Sequence, residues 1–157
     1  MNYRWTMHLL EQEINLCRRY NSILSMVLLD IDFFKKINDT YGHLIGNDIL
    51  KSFAECIKKN LRNADIIGRY GGEEFLIILP ETTPDFAATI LERIKERLQH
   101  IKIDSSSLEG ATEVSIKFSA GIVSCPNNAR ELKGLIGMAD YALLKAKNLG
   151  RNRWILE

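Results

Sequence analysis

Four acidic residues stand where a metal-assisted reaction would need them. Asp30 and Asp32 close the apolar run Ile23 to Ile31, and a spacing of two in extended chain projects both to one side. Glu73 and Glu74 follow Gly71-Gly72 between two further apolar stretches, at the tip of an expected hairpin. If these segments are neighbours in a sheet, the carboxylates converge at one edge. Such hard oxygen ligands suit Mg²⁺, which commonly takes one or two carboxylates and completes its shell with substrate phosphates. Lys35, just after the acidic strand end, and Lys147 and Arg151, flanking Gly150, supply an ammonium and guanidinium chemistry that triphosphate oxygens would need. Each feature also has a plainer reading. Acids at strand ends and hairpin tips are commonly just solvated, and cations in a last helical turn complement the helix dipole without any ligand.

Other chemistries have little support. GHLIGND lacks the lysine of a phosphate-binding loop, and no GxGxxG, HExxH or GxSxG run is present. His8, His43 and His100 are scattered, with no carboxylate or cysteine at ligand spacing. Cys17, Cys56 and Cys125 are odd in number and far apart, which argues against a disulfide framework and for small buried hydrophobes in a reducing, cytoplasmic compartment. Lys and Arg number 21 against 20 Asp and Glu, so no basic excess exists to hold a nucleic acid. The apolar runs are too short to span a bilayer, and the first residues lack a secretory core, so no membrane contact by this segment is expected.

The elements that must position these residues follow from periodicity. Met7, Leu10, Ile14 and Cys17 predict an amphipathic helix to about Arg19, broken by Asn21-Ser22. Ile23 to Ile31 reads as a buried strand, Phe33 to Asn38 as a brief helix and Asp39 to Gly42 as a turn. From His43 to Arg62 the set Leu44, Ile45, Ile49, Leu50, Phe53, Ile57 and Leu61 marks one face of a long helix. Ile66 to Tyr70 and Phe75 to Leu79 read as hairpin strands, with the two glycines supplying positive φ at the turn. Thr83-Pro84 caps a helix whose apolar side runs from Phe86 to Leu98. Residues 104–112 read as a loop, Val114 to Ser124 as a strand, Leu132 to Ala146 as a final helix ended by Gly150, and Arg153 to Leu156 as a short last strand. This order predicts an α+β fold of ferredoxin-like or palm type, an open and mostly antiparallel sheet with helices packed on one side. The chain's 157 residues are expected to form a single domain, 1–157.

At this point the residues resemble a known family. GGEEF at Gly71–Phe75 is similar to the signature of the GGDEF domain, in its Glu variant. DIDFFKKINDTYGHLIGND, from Asp30 to Asp48, resembles the family's metal and nucleotide segment, and ADYALLKAKNLGRNR, from Ala139 to Arg153, its C-terminal block. The resemblance implies a diguanylate cyclase, which condenses two GTP molecules into cyclic di-GMP with release of two pyrophosphates. It implies Mg²⁺, with Mn²⁺ as the alternative ion, held by Asp30, Glu73 and the main-chain carbonyl of Ile31, with Asp32 and Glu74 as further acids for a second metal. Glu73 is then also the group assisting deprotonation of the attacking 3′-hydroxyl. Lys35, Lys147 and Arg151, with the backbone amides of Phe33, Phe34 and Lys35, would grip the β- and γ-phosphates. Asn38 would contact the guanine edge, and Gly71 and Gly72 would leave room for the α-phosphate. One chain holds one GTP, so two copies facing across a two-fold axis are implied, a homodimer at least transiently. Arg62-Asn63-Ala64-Asp65 is similar to the RxxD element of product-inhibited members, with Arg93 placed like their auxiliary arginine; by itself, Arg62 is also an ordinary helix end and Asp65 an ordinary turn residue.

Two departures stand out. The family carries Asp after the glycine of GHxxGD, where this chain has Asn47. An amide can accept one guanine proton but sets its own NH₂ against a second donor, a mismatch of about 1–3 kcal/mol in a buried site. A cyclase with relaxed, ATP-accepting base choice is therefore an alternative, since Asn pairs well with adenine. The family's DxLTGLxNRR opening is also cut short, so the chain is expected to be a fragment of a larger protein with an upstream sensory or receiver domain. Two further alternatives are a catalytically silent module binding GTP or cyclic di-GMP and a polymerase-like palm. The retained Asp30, Glu73, Lys35, Lys147 and Arg151 argue against the first, the near-neutral charge and small size against the second.

Overall fold

The computed structural model describes residues 2–103 and 112–157. Its elements run α1 (Tyr3–Tyr20), β1 (Leu24–Ile31), α2 (Phe34–Lys59), β2 (Ile66–Arg69), β3 (Glu74–Pro80), α3 (Pro84–Leu98), β4 (Ile101–Ile103), β5 (Thr112–Val114), β6 (Phe118–Cys125), α4 (Leu132–Asn148) and β7 (Trp154–Leu156). Five strands form one sheet in the order β2-β3-β1-β6-β7, antiparallel except for the parallel β6–β7 edge. The expected α+β architecture is what the chain adopts.

The helices, however, cover both faces of the sheet and not one. Val27, Leu29 and Ile31 point into a core with α2 and α3, built around Phe53, Phe75 and Phe118. Leu24, Met26 and Leu28, on the alternate face, pack with Leu10 and Ile14 of α1 and Leu135, Ala139 and Leu143 of α4. β1 is buried along its whole length. With apolar residues at both odd and even positions, the strand has no face to give to water and demands cover on both sides. Burying its Val, Leu and Ile side chains contributes roughly 1.5–3 kcal/mol each before entropy is counted.

Local signals hold at most boundaries. Thr83 accepts the Phe86 amide at 3.3 Å and Pro84 begins α3. Asn21, at φ 50, ends α1. The brief helix, turn and long helix expected from Phe33 to Arg62 are one element, kinked at Gly42 (φ 85, ψ 162), where only glycine is unstrained. It stops at Lys59, with Asn60 closing the last turn. Leu44 and Phe86, placed on apolar faces by periodicity, are 68% and 52% exposed, and Cys56 is only half-buried. The expected strand from Val114 to Ser124 is two: β5 pairs with β4 as a separate ribbon, and Ser115 to Lys117 link it to β6. Of the expected loop 104–112, residues 104–111 lie outside the described residues. Gly71 and Gly72 join β2 to β3 as expected, but neither adopts positive φ. Their value is lack of bulk: a Cβ on Gly71 would strike the Glu74 carboxylate, whereas Gly72 faces open space.

Candidate active site

The β1–β3 ladder sets Asp30 directly across from Glu74. One step further, the Ile31 amide donates to the Glu73 carbonyl at 3.3 Å. Residues more than forty positions apart are thereby brought to one end of the sheet. Asp30 and Glu74 lie on the α4 face, in phase with Met26, Leu28, Leu76 and Ile78. Arg69 braces the hairpin tip from below, its guanidinium donating to the carbonyls of Gly71 at 3.2 Å and Gly72 at 3.0 Å. Sequence reasoning missed Arg69, because its partners are carbonyls and not side chains.

α4 delivers the cations. It approaches β6 so closely that a Cβ on Gly121 would overlap the Ala139 carbonyl and lie 2.8 Å from the Ala142 methyl. That approach places the Lys147 Nζ 3.2 Å from Asp30 Oδ2. After α4, Arg151 (φ 62) turns its guanidinium over the Phe33 ring, 4.7 Å from the centroid. Phe33 (φ 58) caps α2, whose first amides at Phe34, Lys35 and Lys36 have no acceptor within the helix. Lys35 is exposed on that turn and has no ion-pair partner among the described residues. The expected cations and helix N-terminus therefore share one side of the acidic edge.

Burial dominates the electrostatics of the acidic edge. Burial pushes the Asp30 carboxyl above the usual carboxylate range, Asp32 adds to this, and Lys147 and Arg151 oppose it. Glu73 and Glu74 are also raised, first by burial and then by the Asp30 charge, with Lys147 again opposing. Among the described residues, no group of three or more Cys, His, Asp or Glu is gathered tightly enough to hold a metal by itself. The chain offers the small number of hard oxygen donors that Mg²⁺ uses when phosphates complete its shell. The donor set fits that ion.

Asp32 does something else. Its carboxylate accepts from Ser119 Oγ at 2.7 Å and from the Asn152 amide at 2.8 Å, and it is buried. The expected second-metal acid already has its oxygens engaged. Asn38 rests on Gly46, where a Cβ would overlap its Oδ1. Asn47 is exposed and lines a cavity of about 850 Å³ between α2 and β2, shared with Gly68, Arg69 and Phe75.

Arg62, Asp65 and Arg93 lie away from the acidic edge, although Arg62 and Asp65 line the same cavity as Asn47. Arg62 Nη2 donates to the carbonyl of Pro80 at 3.1 Å and to Thr82 Oγ1 at 2.8 Å, beyond the far end of β3 from Glu74. Along the strand that separation is about 20 Å. Asp65 accepts from the Arg62 amide at 2.8 Å and from Nη2 at 2.9 Å, and its side chain is fully covered. Arg93 reaches the Asn60 carbonyl at 3.5 Å, close by. The three do gather, at a second place.

The whole chain except its last residues matches the family described as diguanylate cyclase, GGDEF domain, over residues 1–153. The chain belongs to the GGDEF domain family. Diguanylate cyclase A of Treponema denticola is 38% identical over 140 residues, covering 89% of this chain and 37% of that protein. Diguanylate cyclase DosC of Escherichia coli is 35% identical over 153 residues, covering 98% of this chain and 32% of its own length. This GGDEF domain thus spans about a third of those curated relatives. The active GGEEF domain of a Vibrio cholerae diguanylate cyclase superposes with a TM-score of 0.87 at 30% identity, covering 99% of this chain and 96% of that one. The GGDEF domain of Caulobacter crescentus DgcB, solved with cyclic di-GMP, gives 0.88 at 28%, covering 99% and 90%. Among the described residues of this GGDEF domain, no helix is long and apolar enough to cross a membrane.

Proposed function

We propose that this GGDEF domain is a Mg²⁺-dependent diguanylate cyclase that joins two GTP molecules into cyclic di-GMP. The observation that carries the reading is the meeting of Asp30 and Glu73 at one sheet end, beside the open amides of α2 and the cations of α4. Asp30, Glu73 and the Ile31 carbonyl would hold Mg²⁺, which when bound supplies charge neutralisation on the phosphates. Lys35, Lys147, Arg151 and the first amides of α2 bind the β- and γ-phosphates. Gly72, with open space above it, leaves the α-phosphate free to lie on the backbone. Asn38 and Asn47 face the base.

Glu73 takes the 3′-hydroxyl proton of the attacking nucleotide, a role open to a carboxylate within reach of that hydroxyl. The 3′-oxygen then bonds to the α-phosphorus of the other GTP, and that phosphorus releases pyrophosphate. Two such exchanges close the ring. One domain presents one such site, so two copies face each other across a two-fold axis. Product cyclic di-GMP returns to the separate cluster of Arg62, Asp65 and Arg93 and inhibits. In the whole protein an upstream sensory or receiver domain controls the encounter, a reading supported by the third of their length that the chain spans in its relatives.

Asn47 supports a second reading, a cyclase that also accepts ATP, because its amide can pair with adenine donor to acceptor whereas its NH₂ opposes a donor of guanine. One experiment addresses both. Purified protein is incubated with Mg²⁺ and either GTP or ATP, and cyclic product is read by chromatography beside a Glu73→Gln control. We expect cyclic di-GMP from GTP and a loss of about 100-fold or more in the control. Equal output from both proteins refutes the role of Glu73, and equal rates with the two nucleotides refute GTP-only choice.

A further inference from the structure

We propose that Asp32 is a positioning residue that latches Arg151 over the N-terminus of α2, and not a metal ligand. The inference rests on the reading of Arg151 as a phosphate-gripping group. Asp30 and Asp32 both face the end of α4, but they hold it differently. Asp30 meets a side chain, Lys147 Nζ, at 3.2 Å, a partner that can swing away when a divalent ion or a phosphate arrives. Asp32 meets a backbone amide, that of Asn152, at 2.8 Å, and Ser119 Oγ at 2.7 Å. Its own amide donates to the Lys117 carbonyl at 2.9 Å. The bonds to the Asn152 amide and the Lys117 carbonyl cannot be lost without moving main chain, and the Ser119 hydroxyl adds a third tie.

The latched turn is one that a free chain would not keep. Gly150, Arg151 and Asn152 all have positive φ, at 111, 62 and 50°. Two consecutive non-glycine residues in the left-handed region cost energy that their surroundings must offset. The Asp32 carboxylate, buried and charge-assisted, is suited to do so. Two further ties act on the same turn: the Arg151 amide donates to Ala146 at 3.1 Å, and Lys95 Nζ to the Asn152 carbonyl at 3.2 Å. The product of these ties is the stacking of Arg151 on Phe33, the residue that caps the helix whose amides bind phosphate. Asp32 immediately precedes Phe33, so a single carboxylate links both halves of the phosphate site. The two acids thus divide the work: Asp30 exchanges partners, Asp32 keeps its own.

The test compares wild type, Asp32→Asn, Ser119→Ala, Arg151→Ala and the Asp32→Asn/Arg151→Ala pair. Binding is measured with 3′-deoxyguanosine triphosphate, which cannot be turned over, and with guanosine monophosphate, which lacks the β- and γ-phosphates. We expect Asp32→Asn to weaken the triphosphate about tenfold, the scale of one charge-assisted hydrogen bond, and the monophosphate less than about twofold. The double variant should be no worse than Arg151→Ala alone. The Mg²⁺ concentration for half-maximal turnover should stay at the wild-type value. In ligand-free protein the Asn152 amide should exchange its hydrogen faster in Asp32→Asn, with Ser119→Ala, which leaves the Asn152 bond in place, showing a smaller change. A raised Mg²⁺ requirement makes Asp32 a metal ligand and overturns the proposal; so do multiplying losses in the double variant, or an unchanged Asn152 amide. If wild type binds no nucleotide at all, the cyclase reading fails, while the exchange measurement still decides whether the latch exists.

Discussion

Gly46→Ala should displace Asn38, the proposed contact to the base, without replacing it. Gly46 lies within the helical part of α2 after the Gly42 kink, and Asn38 of the preceding turns leans on it. A methyl at Gly46 would overlap Asn38 Oδ1 and sit 3.0 Å from its Cγ, so the amide must leave its position. The backbone has no reason to move, because helical φ and ψ suit alanine, which gains up to about 1 kcal/mol over glycine there. Displacing a half-buried amide offsets part of this, and net stability should stay within about 1 kcal/mol of wild type. Nucleotide recognition should not be so spared. Losing one polar contact to the base costs roughly 1.5 kcal/mol, about a tenfold rise in KM for GTP. In the proposed reading Asn38 touches the base and not the reacting atoms, so kcat should hold within about twofold. Steady-state kinetics on Gly46→Ala, Asn38→Ala and the pair, with thermal unfolding alongside, check each figure. The pair should lose no more than Asn38→Ala alone. Wild-type KM and wild-type stability in Gly46→Ala would mean that the methyl is accommodated without moving Asn38 or that Asn38 reads nothing, and would overturn its proposed role.

Three further outcomes follow from the same geometry. Asp30, Glu73 and Glu74 have raised folded-state pKa values, so they favour the fold below the ordinary carboxylate range, and that contribution is lost as pH climbs through the raised values. Mg²⁺ with GTP should therefore raise the melting temperature more at about pH 7.5 than at about pH 5, and calorimetry on Asp30→Asn should show the difference reduced. Arg62→Ala should abolish inhibition by cyclic di-GMP; with its bonds to Pro80 and Thr82 gone, it should also lose about 1 kcal/mol, or about 2–4 °C in thermal unfolding. Asn47→Asp should tighten GTP and reject ATP, shifting the ratio of kcat/KM for the two by about tenfold or more, and competition assays with both nucleotides will register it.

Much of this was legible in the residues themselves. The run from Ile23 to Ile31 announced a buried strand, but the element order suggested helices on one side, and cover on both faces was seen only in the fold. The GGEEF letters and their glycines located the hairpin tip, and Thr83-Pro84 the start of α3. The short β4–β5 ribbon was not legible, because three-residue strands carry too little pattern to rise above their flanking turn residues. Leu44 and Phe86 misled, since helical phase shifts at the Gly42 kink and near a helix start.

The chemistry on offer was readable from the letters alone: acids at strand ends, cations at a helix end, and a family signature between them. Side-chain type and short spacing are local properties, and they survive without coordinates. Which group partners which was settled by the fold. Asp30 and Asp32 look alike in a row of letters, yet one faces an ammonium that can depart and the other a main-chain amide 120 residues away that cannot. A backbone N–H has no letter of its own, so a role built on one is set by the path of the fold.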